Sequence, residues 1–368
     1  MKILIAHYWL VSMRGGEKVV EALCEMYPDA DIFTLVADPS VLSPTIKRHT
    51  IHTSFLQRLP GVKRYYTSLL PLFPFALEGF DASPYDLVIS SESGPAKGIV
   101  PRPDAVHVTY VHSPMRYLWD HYHEYRREAG FITRLAMALF SPALRMWDVS
   151  TAARVDTFAA NSHHIKNRIM RYWRREASVV HPPVATGDFA ISEDRDDFYL
   201  CAGQLVGYKR VDLAVDAFTE TGKPLVVIGT GPEEKRLKKR AGPNITFLGY
   251  QPFKVLKDHM ARCRALVFPG EEDFGIIPVE VMASGRPVIA LARGGALETV
   301  VEGTSGILFH DQSVAGVREA VSAFEAREDE FDPEAVRAHA LTFDTERFKT
   351  EMAALIDATI ANHYSRRR

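Results

Sequence analysis

Short apolar runs alternate with amphipathic stretches along almost the whole chain. Lys2 to His7 reads as a buried strand, and Val/Ile/Thr-rich runs recur near Asp31 to Val36, Asp86 to Ser90, Ala105 to Val111 and Asp156 to Ala160. Between them lie stretches of helical periodicity, beginning with Glu17 to Met26 after the Arg14-Gly15-Gly16 loop. His181-Pro182-Pro183-Val184 stops helix and central strand alike, and the polar Ser192 to Asp197 stretch reads as a linker. A second series follows, with strands near Phe198 to Ala202, Leu225 to Ile228, Ile245 to Leu248, Ala265 to Phe268, Val288 to Leu291 and Gly306 to Phe309. Alternating strands and helices predict parallel sheets covered on both faces. The pattern therefore predicts an α/β chain of two tandem Rossmann-like, doubly wound domains, 1–184 and 185–344. Their ligand crevices are expected at the C-terminal strand ends, facing a central cleft. Thr345 to His363 is periodic enough for one long closing helix.

A length of 368 residues suits two domains, each large enough to bury its own core. The formal charge of −2 argues against a general nucleic-acid binder. Cys24, Cys201 and Cys263 are widely spaced and odd in number, which reads as reduced cytosolic thiols. No apolar run reaches the ~18 residues of a spanning helix, and the N-terminus reads as a strand rather than a signal peptide. A cytoplasmic location is expected.

Candidate chemistry concentrates between Glu272 and Val300. Glu272 and Glu280 stand eight positions apart, the first before a Gly275 turn and the second on a helix expected to start near Ile277, with Pro278 in its first turn. Carboxylates suit hydroxyl-rich groups, and helix N-terminal N–H groups suit phosphate. Together they describe a sugar-nucleotide site. Lys209, in the loop after the Phe198 to Ala202 strand, is the natural phosphate cation. No metal is expected: Asp29-Ala30-Asp31 falls where a strand begins, and His163-His164 lacks an i,i+4 acid.

The E-x(7)-E pattern with F-G after its first acid, the A-S-G-R-P-V-I-A run and G-G-A-L-E-T-V are similar to the C-terminal signature of the retaining family 4 glycosyltransferases. G-G-E-K-V, Y-V-H-S-P-M-R-Y-L-W, H-P-P-V and G-Y-K-R-V-D extend the resemblance over nearly the whole chain in the family's order. It implies the two-Rossmann GT-B fold, an acceptor-side N-terminal domain against which the last helix packs back, and a donor-binding C-terminal domain. In this resemblance Glu280 holds the nucleotide ribose, Glu272 lies near the donor sugar, and Lys209 meets the diphosphate. Phe274 belongs to the same motif, and the N–H groups of Gly275, Ile276 and Ile277 face diphosphate or sugar. Gly229 and Gly231 match the family's glycine turn, and Tyr250 matches the wall beside the base. Gly15 and Gly16 resemble the loop that approaches the donor phosphates, and His112 resembles the histidine near sugar and leaving phosphate; His112, Lys209 and Glu272 are the expected catalytic set. Gln204 departs from the pattern, since many relatives carry there an Arg that shares the diphosphate contact, and Gln brings no charge. Arg210 or Arg293 would have to supply it, and neither sits at that position.

Arg116, Tyr117 and Trp119 are candidates for the acceptor side. Between Gln57 and Phe80, basic Arg58, Lys63 and Arg64 interleave with aromatic residues up to Phe75, which suits an anionic membrane surface; Lys166 to Arg175 and the Arg366-Arg367-Arg368 tail would add to the attraction. The resemblance implies a metal-independent hexosyltransferase without a cofactor, similar to bacterial mannosyltransferases of polysaccharide assembly. It would move mannose from GDP-mannose onto a glycan or a polyprenyl-diphosphate-linked oligosaccharide, peripherally at the inner face of the plasma membrane. Two alternatives stand beside it: a catalytically silent nucleotide-sugar-binding protein, motivated by Gln204, and a dinucleotide-dependent oxidoreductase. His7 to Gly16 lacks the G-x-G-x-x-G that the last requires.

Overall fold

The computed structural model describes residues 1–365; the Arg366-Arg367-Arg368 tail lies outside the described residues. Contacts divide the chain into two compact units, one formed by Met1–Pro183 with Phe348 onward and one by Val184–Arg347.

The first unit is built on a seven-stranded parallel sheet. Its strands are β1 (Ile3–His7), β2 (Asp31–Thr34), β3 (Ile51–Thr53), β4 (Leu87–Glu92), β5 (Val106–Val111), β6 (Thr157–Ala160) and β7 (Ser178–Val179), in the order β3-β2-β1-β4-β5-β6-β7. β4 and β5 are buried along their full lengths, as strands covered on both faces must be. The order reverses between β1 and β4, a switch point of the kind that opens a crevice at the C-terminal strand ends. β3 and β7, three and two residues long, lie at the sheet's two edges and escaped the sequence pattern. The Thr345–Ser365 helix lays Phe348, Met352 and Ile356 into a core with Ile5, Leu23, Val108 and Tyr110.

The second unit carries six parallel strands: β8 (Tyr199–Ala202), β9 (Leu225–Ile228), β10 (Ile245–Gly249), β11 (Leu266–Phe268), β12 (Val288–Leu291) and β13 (Gly306–Phe309), ordered β10-β9-β8-β11-β12-β13. The switch lies between β8 and β11, and the loops after these strands carry Lys209 and Glu272. One continuous core, with Leu200, Phe218, Val267, Met282 and Ile289 wholly or almost wholly buried, supports this end of the sheet. Among the described residues, no helix is long and apolar enough to cross a membrane.

Candidate functional site

In the second unit, the loop after β8 ends in a single 3-10 turn, Gly207–Lys209, from which the Lys209 side chain emerges. Its ammonium lies 2.8 Å from Glu272 Oε1, with both side chains largely shielded, at 15% and 21% exposure. The ammonium approaches out of line, so Oε1 gains an ion pair without a hydrogen bond. Gly203 makes the approach possible: at φ +128° it adopts a backbone most residues avoid, and a Cβ there would stand 3.0 Å from Lys209 Nζ. Gly294, at φ +60°, does the same for Glu272, whose backbone oxygen a Cβ would overlap and which accepts the Gly295 N–H at 2.8 Å. Gly229 and Gly231 press against the backbone of Gly203 and Leu205, so they shape the loop leading to Lys209.

The helix beside this pair runs Ile276–Ala283, with Gly275 at its N-cap at φ 87°. Pro278 occupies its first turn, and the first N–H groups, those of Ile276 and Ile277, have no partner within the helix. Pro278, Val279, Val281, Met282 and Ala283 are buried, whereas Glu280 is half-buried. Phe274 is buried with its ring 5.6 Å from that of Phe343, a supporting position. Gln204 and Arg293 are exposed, Tyr250 is strongly exposed, and Arg210 turns to Asp212 at 3.1 Å.

In the first unit, His112 follows β5. Its Nε2 lies 2.8 Å from Ser91 Oγ, its carbonyl accepts from Asn161 Nδ2 at 3.0 Å, and its N–H donates to the Glu92 carbonyl at 2.7 Å. Gly16 sits against this group: a Cβ there would stand 3.0 Å from Tyr8 Oη and 3.7 Å from His112 Nε2. Gly15 opens the Gly15–Met26 helix. His7, wholly buried at the end of β1, has no hydrogen bond to either ring nitrogen. Burial, reinforced by His112, holds its pKa well below the ordinary histidine value; the nearby Ser91 backbone pulls the other way without offsetting this.

A cavity of about 480 Å³ opens beside Gly16, lined by Tyr8, Trp9, Arg14, Glu17, Asp38, Lys63 and Tyr66 among others. Glu17 accepts from Ser12 Oγ at 2.9 Å and from the Arg14 N–H at 3.0 Å, and burial raises its pKa. Lys63 pairs with Asp38 at 2.8 Å in the cavity wall. Arg58 and Arg64 are exposed, while Arg116 and Tyr117 are half-buried. Trp119 donates to Asp148 Oδ2 at 2.8 Å and stacks on Tyr172, which anchors the loop following His112. Asp148 also pairs with fully buried Lys97, whose ammonium lies 3.4 Å from Glu92 Oε1; burial lifts the Glu92 carboxyl to about 7 against the pull of Lys97.

His7, Tyr8 and Glu17 were not singled out by sequence reasoning. The available signal was position, since a histidine closing the first strand of a doubly wound sheet stands at the crevice end. The Lys97–Glu92–Asp148 group had no comparable signal, because Asp148 lies 51 positions from Lys97.

Residues 188–337 match the family described as glycosyl transferases, group 1. An uncharacterised glycosyltransferase of Methanocaldococcus jannaschii is 30% identical over 171 residues, covering 45% of this chain and 48% of that protein. The GDP-mannose-dependent alpha-(1-6)-phosphatidylinositol monomannoside mannosyltransferase of Mycobacterium tuberculosis is 32% identical over 33% of this chain and 37% of its own length. The chain thus spans about half the length, or less, of these curated relatives. Among solved structures, Anabaena HepE in complex with UDP and glucose superposes with a TM-score of 0.71 at 16% identity, covering 97% of this chain and 99% of that one. Residues 188–337 are thus similar to the glycosyl transferases group 1 family, and the chain has the two-Rossmann GT-B fold.

Proposed function

We propose that the protein is a retaining glycosyltransferase that moves a hexose, preferentially mannose from GDP-mannose, onto a glycan or polyprenyl-diphosphate-linked oligosaccharide without a metal. The observation that carries this reading is the Lys209–Glu272 pair beside the N-terminus of the Ile276–Ala283 helix. Transfer breaks the bond between the anomeric carbon and the diphosphate oxygen and forms one to an acceptor hydroxyl, whose proton leaves with the diphosphate. Negative charge builds on the leaving group. Lys209 and the N–H groups of Ile276 and Ile277 supply fixed positive potential for it, which is the role otherwise given to a divalent ion. Glu272, freed from Lys209 as the diphosphate arrives, becomes an acceptor for sugar hydroxyls, and Glu280 takes the ribose. Support for mannose comes from the mycobacterial relative, whose name specifies GDP-mannose.

On the first unit, the cavity beside Gly16 combines carboxylates with Trp9 and Tyr66, whose rings lie 4.9 Å apart; this mixture suits a saccharide acceptor. A lipid-linked acceptor would place the enzyme at the cytoplasmic membrane surface, with the Arg58 to Phe75 segment toward anionic headgroups. The deciding assay is release of nucleoside diphosphate from a panel of sugar nucleotides with and without polyprenyl-linked acceptors. Turnover with GDP-mannose above all others supports the reading. Binding without release from any donor would replace it with a silent nucleotide-sugar binder, the alternative that Gln204 motivates.

A further inference from the structure

The Phe131–Ala152 helix is turned inside out. Its buried residues, Ser141, Leu144, Asp148, Thr151 and Ala152, include a carboxylate, whereas its outer face is apolar. Phe131 is 81% exposed, Ile132 82%, Leu135 62%, Leu139 69% and Met146 70%. At 3.6 residues per turn these five side chains fall within an arc of about 100° and extend over about 22 Å. A surface helix ordinarily shows water its polar face and the core its apolar one. A contiguous exposed apolar stripe on this scale marks an interaction surface.

The surrounding charge selects the partner. Arg134 is exposed on the same helix, and the only acid there, Asp148, is buried against Lys97 and two indole N–H groups. The adjoining His163–Trp173 helix, joined to it by the Trp173–Asp148 hydrogen bond, contains no acid; Lys166 and Arg171 on it, and Arg174 at its C-cap, are exposed. A second copy of the chain meeting this face about a two-fold axis would bring like charges together. An anionic bilayer complements both features, taking the apolar arc to the acyl boundary and the cations to the headgroups. The satellite cluster of Leu144, Met115 and Leu118, with Leu70 packed against it, lies under the helix. Trp147 donates to Glu78 at 2.9 Å, linking the helix to the Phe73–Glu78 segment, where Phe75 is 70% exposed.

We propose that the outer face of the Phe131–Ala152 helix is a docking surface for anionic lipid. The helix lies in the plane of the interface rather than crossing it. The Arg58 to Phe75 segment contributes Phe75, while its Tyr66, Leu69 and Leu70 pack inward.

The test is co-sedimentation of the full chain with vesicles of phosphatidylcholine containing phosphatidylglycerol, and with phosphatidylcholine alone, in the absence of any sugar nucleotide. The outcome is therefore independent of the transfer assays. Wild type should bind the anionic vesicles and lose most of that binding between about 0.1 M and about 1 M salt. Leu135→Ser/Leu139→Ser should weaken it by tenfold or more at unchanged melting temperature, a leucine's burial corresponding to roughly a factor of ten. Phe131→Ser/Ile132→Ser should do the same from the N-terminal end of the helix, where none of its own residues before Ser141 is buried. Equal binding by wild type and both variants would overturn the proposal, as would equal binding to neutral vesicles or none at low salt. A wild-type dimer in light scattering that the leucine variant dissolves, without vesicle binding, would hand the surface to a second copy.

Discussion

Lys209 and Glu272 face each other as an ion pair across 2.8 Å. A diphosphate arriving at Lys209 must displace a carboxylate already there, so the two residues are expected to respond to mutation in opposite senses. Lys209→Ala should weaken nucleoside diphosphate binding by roughly 1.5 to 3 kcal/mol, the range for hydrogen bonds to charged groups. Glu272→Ala removes the internal competitor and should leave that affinity intact or improved while turnover falls. Calorimetric titration of both variants decides it; unchanged binding in Lys209→Ala would remove Lys209 from the phosphate site.

Glu280→Ala should lower affinity for the nucleoside diphosphate by a similar roughly 1.5 to 3 kcal/mol if the carboxylate accepts from ribose. The effect should vanish for inorganic diphosphate, which has no ribose. Comparing the two ligands by competition against a fluorescent nucleotide separates this role from general damage, and equal losses for both would reassign Glu280 to a structural role.

Gln204 is exposed, in the loop that leads to Lys209. Gln204→Arg should tighten the donor and lower its KM severalfold, because a guanidinium brings a charged fork of donors where the amide donates without charge. An unchanged or raised KM would mean that the loop already supplies its charge otherwise. In excess chelator, turnover by wild type should stay near its untreated rate; collapse followed by rescue with magnesium or manganese would refute the metal-free reading.

His107 is buried on β5, with Nε2 2.9 Å from Ser90 Oγ, and burial lowers its pKa to about 3. The unfolded chain binds this proton near the ordinary histidine value of about 6.5, and the folded chain only near 3, so stability is lost as pH falls through that window. The slope has a ceiling of about 1.4 kcal/mol per pH unit for one such group. His107→Gln should be less stable at neutral pH but show a shallower decline in urea denaturation toward acid. Parallel pH profiles for the two proteins would show that another group carries the acid sensitivity.

The parallel sheets were legible because strands buried on both faces become continuous apolar runs, as in Leu4 to Ala6 and Val288 to Leu291. β3 and β7 were not, since two or three residues at a sheet edge carry too little pattern. Periodicity also leaves direction open. Nothing in the helical spacing of Leu135, Leu139 and Met146 says that this face points outward. Within the candidate site, motifs singled out Lys209 and Glu272, which the fold then brought together. His7 escaped because one side chain carries no spacing, and the hydrogen bond of Trp119 to Asp148, twenty-nine positions away, is equally invisible to spacing.

The return of Phe348, Met352 and Ile356 to the core around Ile5 and Val108 makes the second unit an insertion within the first. During synthesis the ribosome must therefore release more than three hundred residues after Ile5 before that core can be completed. The 184–347 unit is sequentially local and can fold as soon as it emerges, whereas the earlier-made sheet waits, with its apolar face open, for the last helix. The first unit to be made is the last to be finished, which makes that interval the stage at which the nascent chain depends most on chaperones.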